Sequence, residues 1–283
     1  MGVDVKQDPA GFLYGAHVRA NGIRQHYLRF GGKGPALVVI PGIASPAAMW
    51  AFVAMRLCEH FDVYVVDVRG RGLSEAGEHL GYGIDACAQD VICLAGELGL
   101  SRYTILGHSM GARIAIRAAR SKPPSLERIV LADPPVSGPG RRAYPSPLAN
   151  LLELIAAAKR GEVIELLRQA GPSVWPEQQM RIRAEWLCTC DERAVAVTHR
   201  GFHEDDIHSD LRQVSIPSAL IVAGKGGVIL AEDEQEIRSL LPSIEILRVK
   251  NAGHQMQIDD LEGLLATLGE VLNVRFSQPS ING

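Results

Sequence analysis

The sequence predicts an α/β domain with a mostly parallel central sheet, helices on both faces and a helical cap inserted over one edge. The first observation is that short apolar runs rich in β-branched residues alternate with longer segments of helical periodicity. Continuous apolar runs are typical of strands buried on both faces, and their alternation with helices favours a doubly wound sheet. The second observation is that this alternation stops between Pro134 and Ile216.

The predicted strands share this apolar character, and they are Ala36–Ile40, Val63–Val68, Tyr103–Leu106, Ile129–Ala132, Ala219–Ala223 and Ile244–Val249. Helical spacing marks the segments Ile84–Leu98, Ala112–Arg120 and Leu261–Leu272, which lie between or after these strands. An earlier segment, Ile23–Arg29, predicts an antiparallel strand at the edge of the sheet.

The interrupted region begins with a Gly/Pro-rich stretch and continues with helical patterns at Leu151–Ala170 and Gln178–Leu187. We interpret residues 135–215 as a helical cap inserted into a core formed by residues 1–134 and 216–283. Ligands of open α/β sheets bind at the carboxyl ends of the strands. A cap at that edge would cover the site.

Length, charge and cysteine usage exclude several classes of function. The 283 residues carry a formal net charge of −3 with acids and bases mixed along the chain, which argues against a nucleic-acid partner. No apolar stretch approaches the roughly 18–20 residues that a membrane span needs, and the N-terminus lacks a signal-peptide pattern. The five cysteines have no metal-binding spacing. We expect a cytoplasmic protein with a small-molecule substrate and without a metal, a membrane or a nucleic-acid partner.

The segment Gly107–Gly111, which reads Gly-His-Ser-Met-Gly, carries the strongest functional signal. It matches G-x-S-x-G between a predicted strand and a predicted helix, which is the context of the nucleophile elbow in α/β-hydrolases. In such a turn, a side chain at either glycine would collide with neighbouring backbone, and the helix start directs N–H groups at developing negative charge. We therefore predict the α/β-hydrolase fold with Ser109 as the nucleophile.

Two backbone N–H groups are expected to bind the oxyanion that forms when the serine attacks a carbonyl. One belongs to Met110, the residue after the nucleophile. The other belongs to Ile43, in the loop after the first central strand, where Gly42 gives the turn its freedom.

The general base is expected on the loop after the last strand, because the chain order in this fold is serine, acid, histidine. His254 occupies that position. His108 lies inside the elbow and is interpreted as a neighbour, whereas His199, His203 and His208 fall in or near the predicted cap.

The acid departs from the usual pattern of the fold. Most members carry it after the strand corresponding to Ala219–Ala223, but the following loop, Gly224–Val228, has no carboxylate. Asp133 ends the preceding strand and can reach the imidazole from there, so we predict Asp133 as the acid. The alternative for Asp133 is a turn-forming aspartate before proline. The second candidate acid is Asp233, which with Glu232 is expected in the first turn of a helix.

The chain also resembles a known family, the N-formylmaleamate deformylases, which are α/β-hydrolases of aerobic nicotinate breakdown. The resemblance spans residues 21 to 272, and its most specific segments are NGIRQHYLRFGGKG, DVRGRGLS, LGHSMGAR, DPPVSGPGRRAYPS, FHEDDIH, VAGKGGVI and NAGH. This family places its acid after the earlier strand, so the resemblance implies a triad of Ser109, Asp133 and His254. It also implies cleavage of the formyl C–N bond of N-formylmaleamate through a formyl-serine, with no cofactor.

A substrate carboxylate in a buried site needs a cation or several donors. Arg141, Arg142 and Tyr144 follow Asp133 toward the cap, and arginine binds carboxylates through a planar fork. We predict that these three residues bind substrate, the alternative being a solvated basic pair at the cap hinge. The segment Asp67–Ser74 is interpreted as a structural turn with a charged anchor. The next candidates for the carboxylate are Arg69, Arg200, His203 and His208.

Other functions fit the same residues. A related amide or ester hydrolase, such as an (acetamidomethylene)succinate hydrolase, a carboxylesterase or a C–C bond hydrolase, would use the same triad. A ligand receptor that kept the fold with little turnover is a third class, and three aligned catalytic groups disfavour it.

Overall fold

A computed structural model describes residues 11–169 and 175–277 of the protein. Within these residues the strands form one eight-stranded sheet in the order β1-β2-β4-β3-β5-β6-β7-β8. The strands are β1 (Phe12–Ala20), β2 (Ile23–Phe30), β3 (Ala36–Ile40), β4 (Asp62–Val66), β5 (Tyr103–His108), β6 (Leu126–Ala132), β7 (Ser218–Ala223) and β8 (Glu245–Val249). Strands β3 to β8 run parallel to one another, so their carboxyl ends lie along one edge of the sheet.

The helices cover both faces of the sheet and fill the connection between β6 and β7. They are α1 (Ala51–Leu57), α2 (Ile84–Glu97), α3 (Met110–Arg120), α4 (Leu148–Arg160), α5 (Val163–Gln169), α6 (Glu177–Leu187), α7 (Glu192–Glu204), α8 (Ile207–Leu211), α9 (Ala231–Leu240), α10 (Met256–Asp259) and α11 (Leu261–Leu272). None of these described helices combines the length and apolar composition that crossing a membrane requires.

The hydrophobic core lies in two layers, one on each face of the sheet. In β3, Val38 and Ile40 pack on the face covered by α2 and α3, whereas Leu37 and Val39 pack on the face covered by α1 and α11. Successive side chains of a strand point to opposite faces. Because both faces are covered, every position of the strand must be apolar, and this is why the central strands are continuous apolar runs in the sequence.

The edge of the sheet differs from the sequence prediction. The segment Ile23–Arg29 lies in β2, which is the second strand, because β1 pairs with it antiparallel and forms the edge itself. Phe12, Leu13 and Tyr14 at the start of β1 are exposed. The strand therefore lacks the buried apolar face that would have marked it in the sequence.

Helices α4 to α8 all lie between β6 and β7, in what we call the helical insert. The pattern predicted at Leu151–Ala170 belongs to two helices, because Gly161 ends α4 with a left-handed φ of 76° and α5 starts at Val163. Ala170 lies outside the described residues. Helix α6 matches the second predicted pattern, whereas α7 and α8 are helices that were not predicted.

Buried arginines tie the second half of the insert to the core. The guanidinium of Arg113 in α3 donates hydrogen bonds to backbone carbonyls of the chain around it, those of Pro135, Ser137, Gly201, Phe202 and Asp205. Arg117, one turn further along α3, pairs with the buried Asp210 of α8 at 2.5 Å. Within the described residues, the ion pairs of α4, α5 and α6 do not reach the core. They join these helices to one another, to the turn after α4 and to Glu192 of α7.

Candidate active site

Ser109 lies in a sharp turn between β5 and α3, with φ of 54° and ψ of −116°. This conformation is strained for a residue with a side chain, and it points the hydroxyl away from the turn. A Cβ on Gly107 would overlap the backbone of Gly111, and a Cβ on Gly111 would overlap the carbonyl of Ile40. Both glycines are therefore required by close backbone approach, as the motif predicts.

The structure brings together the three residues of the predicted triad. The Ser109 hydroxyl lies 3.1 Å from Nε2 of His254, within range to donate its proton. On the other side of the ring, Nδ1–H of His254 donates to Oδ2 of Asp133 at 2.6 Å. The Asp133 side chain is fully buried, whereas the His254 side chain is 21% exposed. This is the geometry that a serine nucleophile, its base and the group that orients the base require.

Asp133 reaches His254 because the loop after β7 makes room for its carboxylate. A Cβ on Gly227 would lie 2.6 Å from both carboxylate oxygens, and the N–H of Val228 donates to Oδ2 at 3.0 Å. Asp133 itself has a left-handed φ of 45°. The carboxylate of Asp133, at the end of β6, thus fills the space that a side chain at position 227 would occupy. Glycine is required at position 227 for this reason.

Asp233, the second candidate acid, has a different role. Its carboxylate accepts a hydrogen bond from the N–H of Leu230 at 2.6 Å and pairs with Arg142 at 2.5 Å. It lies in the first turn of α9 together with Glu232, which confirms the predicted helix start. Within the described residues it forms no hydrogen bond or ion pair with His254.

Two backbone N–H groups are free for an oxyanion. In the described part of the chain, the N–H groups of Ile43 and Met110 have no hydrogen-bond acceptor. The loop that carries Ile43 packs against the elbow, since a Cβ on Gly42 would lie 3.5 Å from Nδ1 of His108 and 3.6 Å from Cβ of Ser109. The first N–H of α3 and the N–H of this loop thus flank the nucleophile, as an oxyanion hole requires.

The segment Asp67–Ser74 is hydrogen-bonded to the loop that carries Ile43 and to the residues that follow it. Arg71 is 1% exposed, and its guanidinium donates to the carbonyl of Ile43 at 3.0 Å and to the hydroxyl of Thr198 in α7 at 2.9 Å. The Asp67 carboxylate accepts from the N–H of Ala47 at 2.6 Å. Burial lowers the pKa of Arg71. Arg71 is the charged anchor of this turn, and it joins the loop that carries Ile43 to the helical insert.

The ring of His108 contacts the backbone and the ring of His254. Its Nε2 lies 2.8 Å from the carbonyl oxygen of His254, and the two rings are 5.0 Å apart. Burial, together with the nearby His254, lowers the pKa of His108 to about 4. The ring is therefore neutral near pH 7 and donates an N–H to a carbonyl, so that it fixes the backbone of the base without adding charge.

A cavity of about 600 Å³ opens over the triad. Its floor is formed by the loop after β3 that carries Ile43, by the elbow and by the loops after β7 and β8. Its roof is formed by the insert. The roof residues are Tyr144, Pro145, Ser146, Pro147, Asn150, Leu151, Leu154, Trp175 and Arg183. Burial raises the pKa of Tyr144 to about 12, so its phenol is protonated near pH 7 and faces the site as a neutral donor.

The structure places the predicted substrate arginines outside this lining. Arg141 makes two hydrogen bonds of 2.6 Å to Glu236, and Arg142 is held by Asp233 and by the carbonyl of Val228. A substrate carboxylate would have to displace those partners. Of the three predicted substrate residues, the structure brings Tyr144 alone to the cavity.

The next candidates are also held elsewhere among the described residues. Arg69 pairs with the buried Asp90 at 2.5 Å, and Arg200 pairs with Glu204 on the same helix. The ring of His208 is buried near Glu236, and that of His203 lies 5.5 Å from His199. Arg183 is not among the residues predicted to bind substrate, although the helical pattern at Gln178–Leu187 places it on a helix of the predicted cap.

The sheet order, the elbow and the Ser–His–Asp geometry define a serine hydrolase of the α/β type. The alpha/beta hydrolase family model matches residues 37–266, so the chain belongs to that family. The predicted fold is confirmed.

Among curated relatives, N-formylmaleamate deformylase from Pseudomonas putida is 54% identical over 262 residues, which cover 93% of this chain and 97% of the relative. 2-(Acetamidomethylene)succinate hydrolase from Mesorhizobium japonicum is 27% identical and covers 79% of this chain and 82% of its own length. A crystal structure of an N-formylmaleamic acid deformylase from Pseudomonas putida S16 superposes with a TM-score of 0.86 at 49% identity, covering 90% of this chain and 100% of the other. The resemblance found in the sequence is confirmed.

Proposed function

We propose that this protein hydrolyses N-formylmaleamate to maleamate and formate. The observation that carries the proposal is the 54% identity to a deformylase over nearly the whole of both chains, together with Ser109, His254 and Asp133 at hydrogen-bonding distances. The relative at 27% identity acts on a different amide, so the geometry of the triad alone does not choose between the two substrates.

In the first half of the reaction, His254 takes the proton of Ser109 as the hydroxyl oxygen attacks the formyl carbon. Asp133 holds the imidazole in the required tautomer and stabilises its positive charge. The N–H groups of Ile43 and Met110 receive the negative charge on the formyl oxygen. Removing one such donor typically slows catalysis by about 10²–10³-fold.

In the second half, the C–N bond breaks and His254 returns the proton to the leaving nitrogen. That nitrogen belongs to the amide of maleamate, where the second carbonyl delocalises its developing charge, so it leaves more easily than an amine. Water then enters, loses a proton to the same His254 and attacks the formyl-serine. Formate leaves and Ser109 regains its proton, so no other reactant is needed.

The helical insert, residues 135–215, would act as the cap of this site, above a core of residues 1–134 and 216–283. Support comes from the cavity lining, which combines loops at the carboxyl ends of the strands with Tyr144, Leu151 and Leu154 of the insert. We further propose that the protein works in the cytoplasm, which its free cysteines favour.

The test is a formate-release assay with purified protein and N-formylmaleamate. We expect turnover that Ser109→Ala reduces by about 10⁴–10⁶-fold while the variant stays folded. Simple aryl esters and 2-(acetamidomethylene)succinate serve as competing substrates. Faster turnover of either one would replace this proposal with the corresponding hydrolase.

A further inference from the structure

Arg183 is a cation in the roof of the cavity without an anionic partner. It lies in the middle of α6 and lines the same cavity as Ser109. Within the described residues it forms no ion pair, and its buried Nε has no hydrogen-bond acceptor. Its guanidinium lies 4.6 Å from the ring centroid of Trp175, which also lines the cavity.

This arrangement leaves the charge of Arg183 incompletely compensated. Moving a charged group out of water is unfavourable unless hydrogen bonds and a counter-charge compensate. Burial lowers the pKa of Arg183 to about 10, so it still carries its charge near pH 7. The contact with Trp175 compensates only in part, since an aromatic ring supplies neither a full counter-charge nor an acceptor for every N–H of the guanidinium.

Other arginines of the chain show what a satisfied group looks like. Arg113 is more deeply buried than the half-buried Arg183, and its guanidinium is covered by backbone carbonyls. Arg181, on the same helix, is exposed and pairs with Glu177 at 2.9 Å. Arg183 differs from both, because within the described residues its guanidinium has neither a carboxylate partner nor a hydrogen-bond acceptor for its buried Nε.

We propose that Arg183 binds the carboxylate of the substrate, with Trp175 holding the plane of the guanidinium. The proposal rests on the function proposed above, because N-formylmaleamate carries a carboxylate at the end remote from its formyl group. The triad would hold the formyl end against the floor, and α6 would hold the carboxylate end in the roof. The planar guanidinium suits bidentate binding of a carboxylate.

The kinetic test compares wild type, Arg183→Met and the control Arg181→Met by formate release. The substrates are N-formylmaleamate and the neutral analogue whose carboxylate is replaced by a carboxamide. In Arg183→Met, kcat/KM for the acid should fall by about 10²-fold, chiefly through KM, since truncating one partner of a buried charge pair has effects of this size. The preference for the acid over the carboxamide should fall by nearly the same factor. Arg181→Met should leave both substrates unchanged.

Equal slowing of both substrates by Arg183→Met would overturn the proposal, because it would indicate a purely structural role. Loss of the acid preference in Arg141→Met, with Arg183→Met unaffected, would also overturn it and place the carboxylate at the hinge. The melting temperature of ligand-free Arg183→Met should not fall, since methionine keeps the unbranched apolar stem of the arginine and removes an unpaired charge.

A binding measurement separates this proposal from the proposed function. Maleate, a dicarboxylate without a formyl group, should raise the melting temperature of Ser109→Ala but not that of the double variant Ser109→Ala/Arg183→Met. If wild type releases no formate but maleate still stabilises only the chain that contains Arg183, the reaction is wrong and the carboxylate site stands. Equal stabilisation of both chains would overturn the site.

Discussion

The two walls of the cavity are built in opposite ways. The floor, made of the loops around Ile43, Ser109, Gly227 and His254, is fixed by close backbone contacts, and hydrogen bonds join its catalytic side chains to one another and to the N–H of Val228. The roof, contributed by the loop before α4 and by α4 and α6, presents mainly apolar residues and a single cation without a partner in the described residues. The other half of the insert, α7 and α8, resembles the floor, because buried arginines fasten it to the core.

This difference separates reaction from recognition. A proton relay fails when its atoms move by about 1 Å, and the floor is held by strand ends, tight glycine contacts and a strained elbow. Recognition of one substrate among related amides needs shape and a counter-charge, which side chains on helices can supply without disturbing the relay. The anchored helices α7 and α8 connect the two walls.

The largest effect should come from the acid of the floor. Asp133→Asn keeps the shape of the side chain but removes its charge and replaces one acceptor oxygen with an NH2 donor that favours the wrong tautomer of His254, so kcat should fall by about 10⁴-fold. Asp233→Asn serves as the control, and its kcat should stay within about tenfold of wild type because Asp233 holds α9 and Arg142. Steady-state kinetics on both folded variants measure the two kcat values. A larger loss of kcat in Asp233→Asn than in Asp133→Asn would assign the acid to Asp233 of α9.

The next effect concerns the fastening of the insert. Arg113→Ala leaves several buried carbonyls without a donor and should lower the free energy of unfolding by about 3 kcal/mol. Arg168→Ala removes only surface ion pairs of α5, so its cost should stay within about 0.5 kcal/mol. Urea denaturation of the two variants measures both. Equal costs would show that the two halves of the insert are fastened alike.

A smaller effect should follow from filling the space beside Asp133. In Gly227→Ala the new methyl group meets both carboxylate oxygens at 2.6 Å, so the aspartate must shift and kcat should fall by about 10²-fold. A Cβ on Gly96, which lies in the helix α2, meets nothing within 4 Å, so Gly96→Ala is the control for kcat. The double variant Asp133→Ala/Gly227→Asp should recover activity relative to Asp133→Asn. Failure of that recovery would show that the acid can serve only from β6.

The smallest effect is a pH dependence of stability that originates in the floor. The pKa of His108 is lowered to about 4 in the folded chain, whereas an unfolded histidine has a pKa of about 6.5. Between these values the unfolded chain binds more protons, so stability is complete above pH 6.5 and falls as the pH drops toward 4. From pH 7.5 to 5.5, the contribution of His108 amounts to about 1 kcal/mol.

Urea denaturation at both pH values gives the free energy of unfolding of wild type and of His108→Asn. The contribution of His108 is the difference between the two proteins in how much this free energy falls from pH 7.5 to 5.5. Burial also lowers the pKa of His208 in α8, so the variant should lose part of the pH dependence and keep the rest. An unchanged slope in His108→Asn would show that His108 is not the titrating group.

The sequence by itself determined the central strands, the elbow and the three residues of the candidate triad. Ser109 and Asp133 directly follow β5 and β6, and His254 lies in the loop after β8. Parallel strands deliver their carboxyl ends to one edge of the sheet whatever the surrounding helices do. The absence of a carboxylate after Ala223 was visible in the residues alone, and it pointed to Asp133 before the space beside Gly227 was known.

Tertiary structure alone decided which arginine is free to meet a substrate. Arg141 and Arg142 look available in the sequence, but α9, far along the chain, brings Glu236 and Asp233 against them. Arg183 looks like an ordinary helical arginine until packing turns it into the cavity beside Trp175. The physical reason is that the helical pattern fixes only which residues share a face. The partner that each face meets depends on how the insert packs onto a core made by distant parts of the chain.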